Sequence, residues 1–160
     1  MNDNVKKWLI GIGIALILLL PAFLFPPKKE VIAYKTVSTY EEYKKIVDSD
    51  KIVMSVFGRN SCSWCNKFKP IYNEVAEEEK VDIYYFDSDS FDEEEYNKIR
   101  NMGLKILAEC NNEHVEKDLS ENFGTPLTLF TQNGKTIGCI GGYVDKDTLL
   151  AKLKDIGMIK

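Results

Sequence analysis

The sequence has no basic stripe. Its 21 lysines and arginines are outweighed by 25 aspartates and glutamates, leaving a formal net charge of -4, so no surface is set up to neutralise phosphates and no nucleic acid partner is expected. Cysteine is sparse: Cys62, Cys65, Cys110 and Cys139 are too few for a disulfide-stapled scaffold. There is no glycine-rich dinucleotide loop, so no organic cofactor is implied. Repeats and low-complexity tracts are missing as well. The acidic runs Glu77-Glu78-Glu79 and Asp92-Glu93-Glu94-Glu95 read as solvated helix faces and carry no function.

What is present divides in two. Residues 8–25, WLIGIGIALILLLPAFLF, hold no charge, and about 18 residues at 1.5 Å each span about 27 Å, close to the hydrocarbon thickness of a bilayer. No small-x-small cleavage site precedes the exit, and no cysteine follows for lipid attachment, so the run reads as an uncleaved signal-anchor. Residues 1–27 are then an anchor with a short tail, 28–35 a linker and 36–160 one domain. Lysines flank both ends of the run, so the positive-inside bias nearly cancels. An extracytoplasmic domain is expected, because a short tail before a single span is the usual form of an exported, anchored domain.

Within the domain, Ser38 and Glu41 make a capping-box pattern for a first helix over about 39–48. Residues 51–57 read as a buried strand. Apolar spacing through Phe68, Ile71, Tyr72 and Val75 predicts a helix from about Cys62 to Lys80, kinked at Pro70. A second strand covers 81–86, and the segment 87–122 is expected to hold two or three helices, one of them carrying Val115 and Leu119. Thr125-Pro126 leads into strand 127–131, Asn133-Gly134 turns into strand 135–140, and Asp145 caps a last helix that Gly157 ends.

The chemistry is expected at Cys62-Ser63-Trp64-Cys65. A thiolate, not a thiol, attacks a disulfide, so a redox site lowers one cysteine's pKa and holds a second sulfur within bonding reach. At a helix N-terminus Cys62 meets unpaired N–H groups and becomes the nucleophile, while Cys65, one turn in, is the resolving thiol. Trp64 either holds a bound peptide or covers the site. An X-Pro peptide before a later strand is where a cis proline can face the cysteines.

In this order of elements, with Pro70, Thr125-Pro126, Asn133-Gly134 and Gly142 in place, the chain resembles thioredoxin over roughly residues 36–157. The run FGRNSCSWCNKFKP is similar to bacteriocin transport accessory proteins of Gram-positive bacteria. The resemblance implies a thioredoxin-like α/β fold, with a central mixed sheet flanked by helices and a helical insertion before the cis-proline strand. It also implies a cis Pro126, with Thr125 contacting the substrate backbone beside Cys62. Two departures stand out: the dipeptide between the cysteines is Ser63-Trp64, and the buried acid that thioredoxin carries six residues before its first cysteine is Val56 here.

The resulting expectation is a monomeric membrane-anchored thiol–disulfide oxidoreductase acting on protein thiols and disulfides of exported or membrane proteins. A redox-inactive module that binds a secreted peptide is one alternative. Another is a zinc site built from Cys62, Cys65, Cys110 and His114. Cys110 and Cys139 are read first as unrelated buried thiols, with a second disulfide or a redox relay as alternatives. His114, the one histidine, is read as a surface helix residue.

Overall fold

The computed structural model describes Asn2 and residues 32–160, so the expected anchor at 8–25 lies outside the described residues. Among the described residues no helix is long and apolar enough to cross a membrane. Pairing begins inside the expected linker, where β1 (Lys35–Thr36) joins the sheet. Helix α1 (Tyr40–Val47) starts one residue later than the Ser38 pattern suggests. Thr39 is the N-cap, accepting from the Glu42 amide at 3.3 Å, while the Glu42 carboxylate accepts from the Ser38 amide. The cap therefore lies one residue later than expected, at Thr39, whose backbone is extended.

Strand β2 (Val53–Gly58) is buried along its whole length, as befits the central strand. Helix α2 (Ser63–Glu79), with Pro70 inside it, and strand β3 (Ile83–Asp87) complete a β-α-β unit with β2 and β3 parallel. After β3 come α3 (Glu93–Arg100), then β4 (Lys105–Ile106), a 3-10 turn at Ala108–Cys110, and β5 (Lys117–Asp118), which pairs antiparallel with β4. Strands β6 (Leu127–Gln132) and β7 (Lys135–Gly141) form a hairpin, and α4 (Lys146–Asp155) follows. Asn133 and Gly134 both have positive φ, 50° and 74°, as a two-residue hairpin turn requires. Asp145 caps α4, and the Gly157 and Met158 amides close its end on Lys154 and Leu153.

The main sheet runs β1-β3-β2-β6-β7, parallel on the first side of β2 and antiparallel on the other. Strand alternation sends Phe57, Phe86, Leu127 and Leu129 to one face, packed with Tyr43 and Val47 of α1 and Ile99 of α3. Met54, Val56, Ile83, Tyr85 and Phe130 go to the other, against Phe68, Tyr72 and Val75 of α2 and Leu149 and Leu153 of α4. Aromatic rings dominate the first face, with Phe57 stacked on Phe86 at 4.8 Å and Tyr43 edge-on to Phe86 at 4.5 Å.

Several expectations fail between 87 and 122. The segment holds one α-helix, not two or three, because the chain beyond Arg100 is drawn into the small β4–β5 sheet. Leu119 is buried just after β5, whereas Val115 is half exposed, so they share no helical face. His114 is exposed as expected, but in a turn with φ 54° and not in a helix. The unrelated-thiol reading of Cys110 and Cys139 also fails: they form a disulfide, Cα–Cα 5.9 Å, that ties the 3-10 turn to β7. The approach is close enough that a Cβ on Gly141 would meet the Cys110 carbonyl oxygen at 2.1 Å.

Candidate redox site

The site lies at the carboxyl end of β2, where a buried strand hands over to a helix in four residues. The connecting loop is fastened mainly by two acids at the end of β3. Asp87 accepts from the Asn60 amide at 3.2 Å and from its side chain, and Asp89 accepts from the Ser61 amide at 3.1 Å and hydroxyl at 2.8 Å. Lys69 and Asn66 reach back from α2 to the side chain and carbonyl of Asn60. The Ser61 amide and hydroxyl, with Arg59 nearby, hold the Asp89 carboxyl below the usual carboxylate range.

This loop delivers Cys62 to the N-cap of α2 with an extended backbone. Its Sγ accepts from the Cys65 amide at 3.1 Å, so a helix-terminal N–H points at the sulfur that needs stabilising as a thiolate. Cys62 is half-buried and Cys65 is 1% exposed. The more exposed sulfur is thus the one expected as nucleophile, and the buried one the one expected as resolving thiol. The two are joined as a disulfide with Cα atoms 5.2 Å apart.

Thr125-Pro126 is cis. The Thr125 carbonyl oxygen lies 3.4 Å from Cys62 Sγ, within reach of the thiol proton once the pair is reduced. Pro126 is buried, and its own carbonyl accepts from the Gly142 amide at 2.8 Å. The loop after β7 therefore braces the cis-proline loop. Trp64 is 53% exposed. Its ring lies 5.6 Å from that of Tyr143, with Lys67 Nζ 4.4 Å above its centroid, an aromatic surface standing open beside the cysteines. On the other side of Thr125 a cleft of about 420 Å³ runs between Gly141–Gly142 and the turn that carries Cys110 and His114.

Cys62, Cys65, Thr125 and Pro126 thus come together, with Trp64 on the α2 turn between the cysteines. The zinc quartet does not assemble. Among the described residues one group brings three possible ligand atoms within 4.8 Å of one another, Glu109, Cys110 and Cys139, and both of its sulfurs are in a disulfide. Asp87, Asp89 and Tyr143 escaped the sequence reading. Nothing local marks them, since each acts through a partner 27 or more residues away.

The chain matches the thioredoxin-like domain family over residues 39–157. Its fold is similar to that of thioredoxin from Trypanosoma brucei brucei, TM-score 0.55 at 19% identity, covering 82% of this chain and 96% of that one. It is also similar to thioredoxin from Malassezia sympodialis, TM-score 0.54 at 18% identity, covering 79% and 91%. No curated protein matches its sequence.

Proposed function

From the premise that this chain belongs to the thioredoxin-like domain family, we propose that it is a membrane-anchored thiol–disulfide oxidoreductase. It exchanges disulfides with exported proteins or with a membrane redox partner. The observation that carries this is the cap geometry: a half-buried Cys62 sulfur accepting a helix-terminal amide, bonded to the buried Cys65 and faced by the Thr125 carbonyl.

In the oxidising direction a client thiolate attacks Cys62 Sγ, and the Cys62–Cys65 bond breaks with its electron pair on Cys65, which takes up a proton. A second client thiolate then displaces Cys62 from the mixed disulfide. The client leaves oxidised by two electrons and the pair remains as a dithiol. The reducing direction is the reverse, with the Cys65 thiolate releasing the client. Peptide backbone beside Thr125 and an apolar side chain against Trp64 would orient the client sulfur in either case.

The uncharged run at 8–25 supports anchoring. The Cys110–Cys139 disulfide supports an oxidising, extracytoplasmic setting for the domain. The likeness of FGRNSCSWCNKFKP to bacteriocin transport accessory proteins points to exported peptides of a Gram-positive-type bacterium as the first clients to try.

The test is the redox equilibrium of the full-length chain in glutathione buffers. A potential near about -120 mV marks an oxidase and one near about -270 mV a reductase. Cys62→Ser abolishes turnover and Cys65→Ser accumulates mixed disulfides. Full exchange without Cys62, or no redox transition at all, refutes the assignment.

A further inference from the structure

The chain has two arginines, Arg59 and Arg100, and both line one open cavity of about 190 Å³ beside the redox site. Ser88, Tyr96, Asn122 and Thr125 line it as well, so two cations share the cavity with neutral groups and no carboxylate. In a chain whose net charge is -4, that is a local reversal of sign. Like charges around one cavity repel, and an anion between them relieves the repulsion. No carboxylate of the described residues takes that place, since every ion pair among them uses a lysine. Asp89, whose carboxyl feels the Arg59 charge, is bonded to the Ser61 amide and hydroxyl.

The cavity is tied to Cys62 on two sides. The Cys62 amide donates to the Arg59 carbonyl at 3.2 Å, and Cys62 Sγ lies 3.4 Å from the carbonyl of Thr125, a residue of the cavity wall. Arg100, at the end of α3, is held by the segment after β5. Its Nε donates to the Leu119 carbonyl at 3.3 Å, and one Nη donates to the carbonyls of Ser120 and Glu121 at 2.5 and 2.8 Å. The other Nη of Arg100 and the whole guanidinium of Arg59 make no hydrogen bond among the described residues, which leaves donors for a ligand. Burial pushes the pKa of the Tyr96 hydroxyl up, and Arg100, Ser88 and Arg59 oppose that shift, so both cations act on the same wall.

Resting on the oxidoreductase reading, we propose that this cavity is a carboxylate subsite of the redox site, and that its occupant is a glutamate or aspartate side chain near the client's reacting cysteine. A guanidinium donates to a carboxylate as a planar fork, and two of them can engage both oxygens. Each residue of an extended client advances about 3.3 Å, so a side chain a few positions from a sulfur on Cys62 comes level with a cavity whose wall includes Thr125.

The probes are short peptides, acetylated and amidated at their ends, each with one cysteine blocked as its 2-thiopyridyl disulfide. Glutamate, glutamine or lysine is placed in turn at each of the three positions on either side of the cysteine. In the reduced full-length protein the Cys62 thiolate attacks the peptide sulfur, and the bond to the thiopyridyl sulfur breaks with its electron pair on that sulfur. Protonation gives pyridine-2-thione, followed by absorbance, and Cys65 then releases the peptide as its thiol. At one or more positions wild type reacts about tenfold faster with glutamate than with glutamine, the size of a charge-assisted bond, and slowest with lysine, against the sign of the net charge. Arg59→Gln brings that ratio to about one, and Arg59→Lys, which keeps the charge and loses the fork, to about three. Lys67→Gln, which removes the cation over Trp64, leaves it unchanged. No glutamate preference in wild type, a preference that survives Arg59→Gln, or one that Lys67→Gln abolishes overturns the inference and spares the oxidoreductase reading. So does a preference seen only when the terminal carboxylate is left free, which assigns the cavity to a chain end. No thione release from any peptide overturns both.

Discussion

Converting Cys110 and Cys139 together to alanine opens a loop whose ends are 29 residues apart in sequence. In the chain-entropy account the crosslink restricts the unfolded ensemble in proportion to the logarithm of loop length, and a loop of this size contributes about 3.5 kcal/mol. Both sulfurs are buried in the core shared with Phe57 and Leu129, so lost packing adds to the entropy change and does not offset it. Against a typical total of about 5 to 15 kcal/mol for a single domain, that is a large fraction. The assay is urea unfolding of the full-length chain by circular dichroism, with the Cys62–Cys65 pair kept oxidised in both proteins. With a slope of about 1 to 3 kcal/mol per molar urea, the midpoint falls by at least about 1 M. A fall under about 0.3 M would refute the claim that this disulfide staples the 3-10 turn to the sheet.

Two further outcomes follow from individual contacts. Tyr43→Phe removes the hydroxyl that bonds Ser55 at 2.9 Å with both residues fully buried, so an unpaired serine hydroxyl costs about 1 to 3 kcal/mol in the same unfolding assay; a change near zero would mean that the bond contributes nothing. The Asp89 carboxyl, held below the usual range chiefly by the Ser61 amide and hydroxyl, fastens the cysteine loop fully above about pH 4 and lets go as the pH drops through its lowered folded value. The Ser61 amide chemical shift therefore titrates below the ordinary carboxylate range in wild type and stays flat in Asp89→Asn; a midpoint at or above that range contradicts the strap.

Much of the architecture was legible because it is written locally. Asn133-Gly134 names its own turn, Asp145 its own cap, and the run from Cys62 its own helix, since each depends on residues within a few positions. The same holds for the Cys62–Cys65 pair, whose spacing sets both sulfurs on one helical turn. Legibility fails where a distant partner decides. Val115 and Leu119 have helical spacing, yet Leu119 donates its amide to the Leu104 carbonyl beyond the end of β5. Cys110 looked like an isolated thiol because Cys139 is on another strand of the chain's path. The cap falls one residue later than the Ser38 pattern suggests because Ser38 and Thr39 offer the same hydroxyl chemistry, and it is Thr39 that accepts the Glu42 amide.

The contact at Gly141 couples three positions into one heritable unit. With the crosslink in place, the Cys110 carbonyl occupies the space that any side chain at 141 would fill. A relative that keeps both cysteines is thereby held to glycine at this step, while one that has lost either cysteine is released from it. Substitutions at 110, 139 and 141 should consequently be gained and lost together, so that three letters of an otherwise divergent sequence report whether the turn beside the cis-proline loop is pinned.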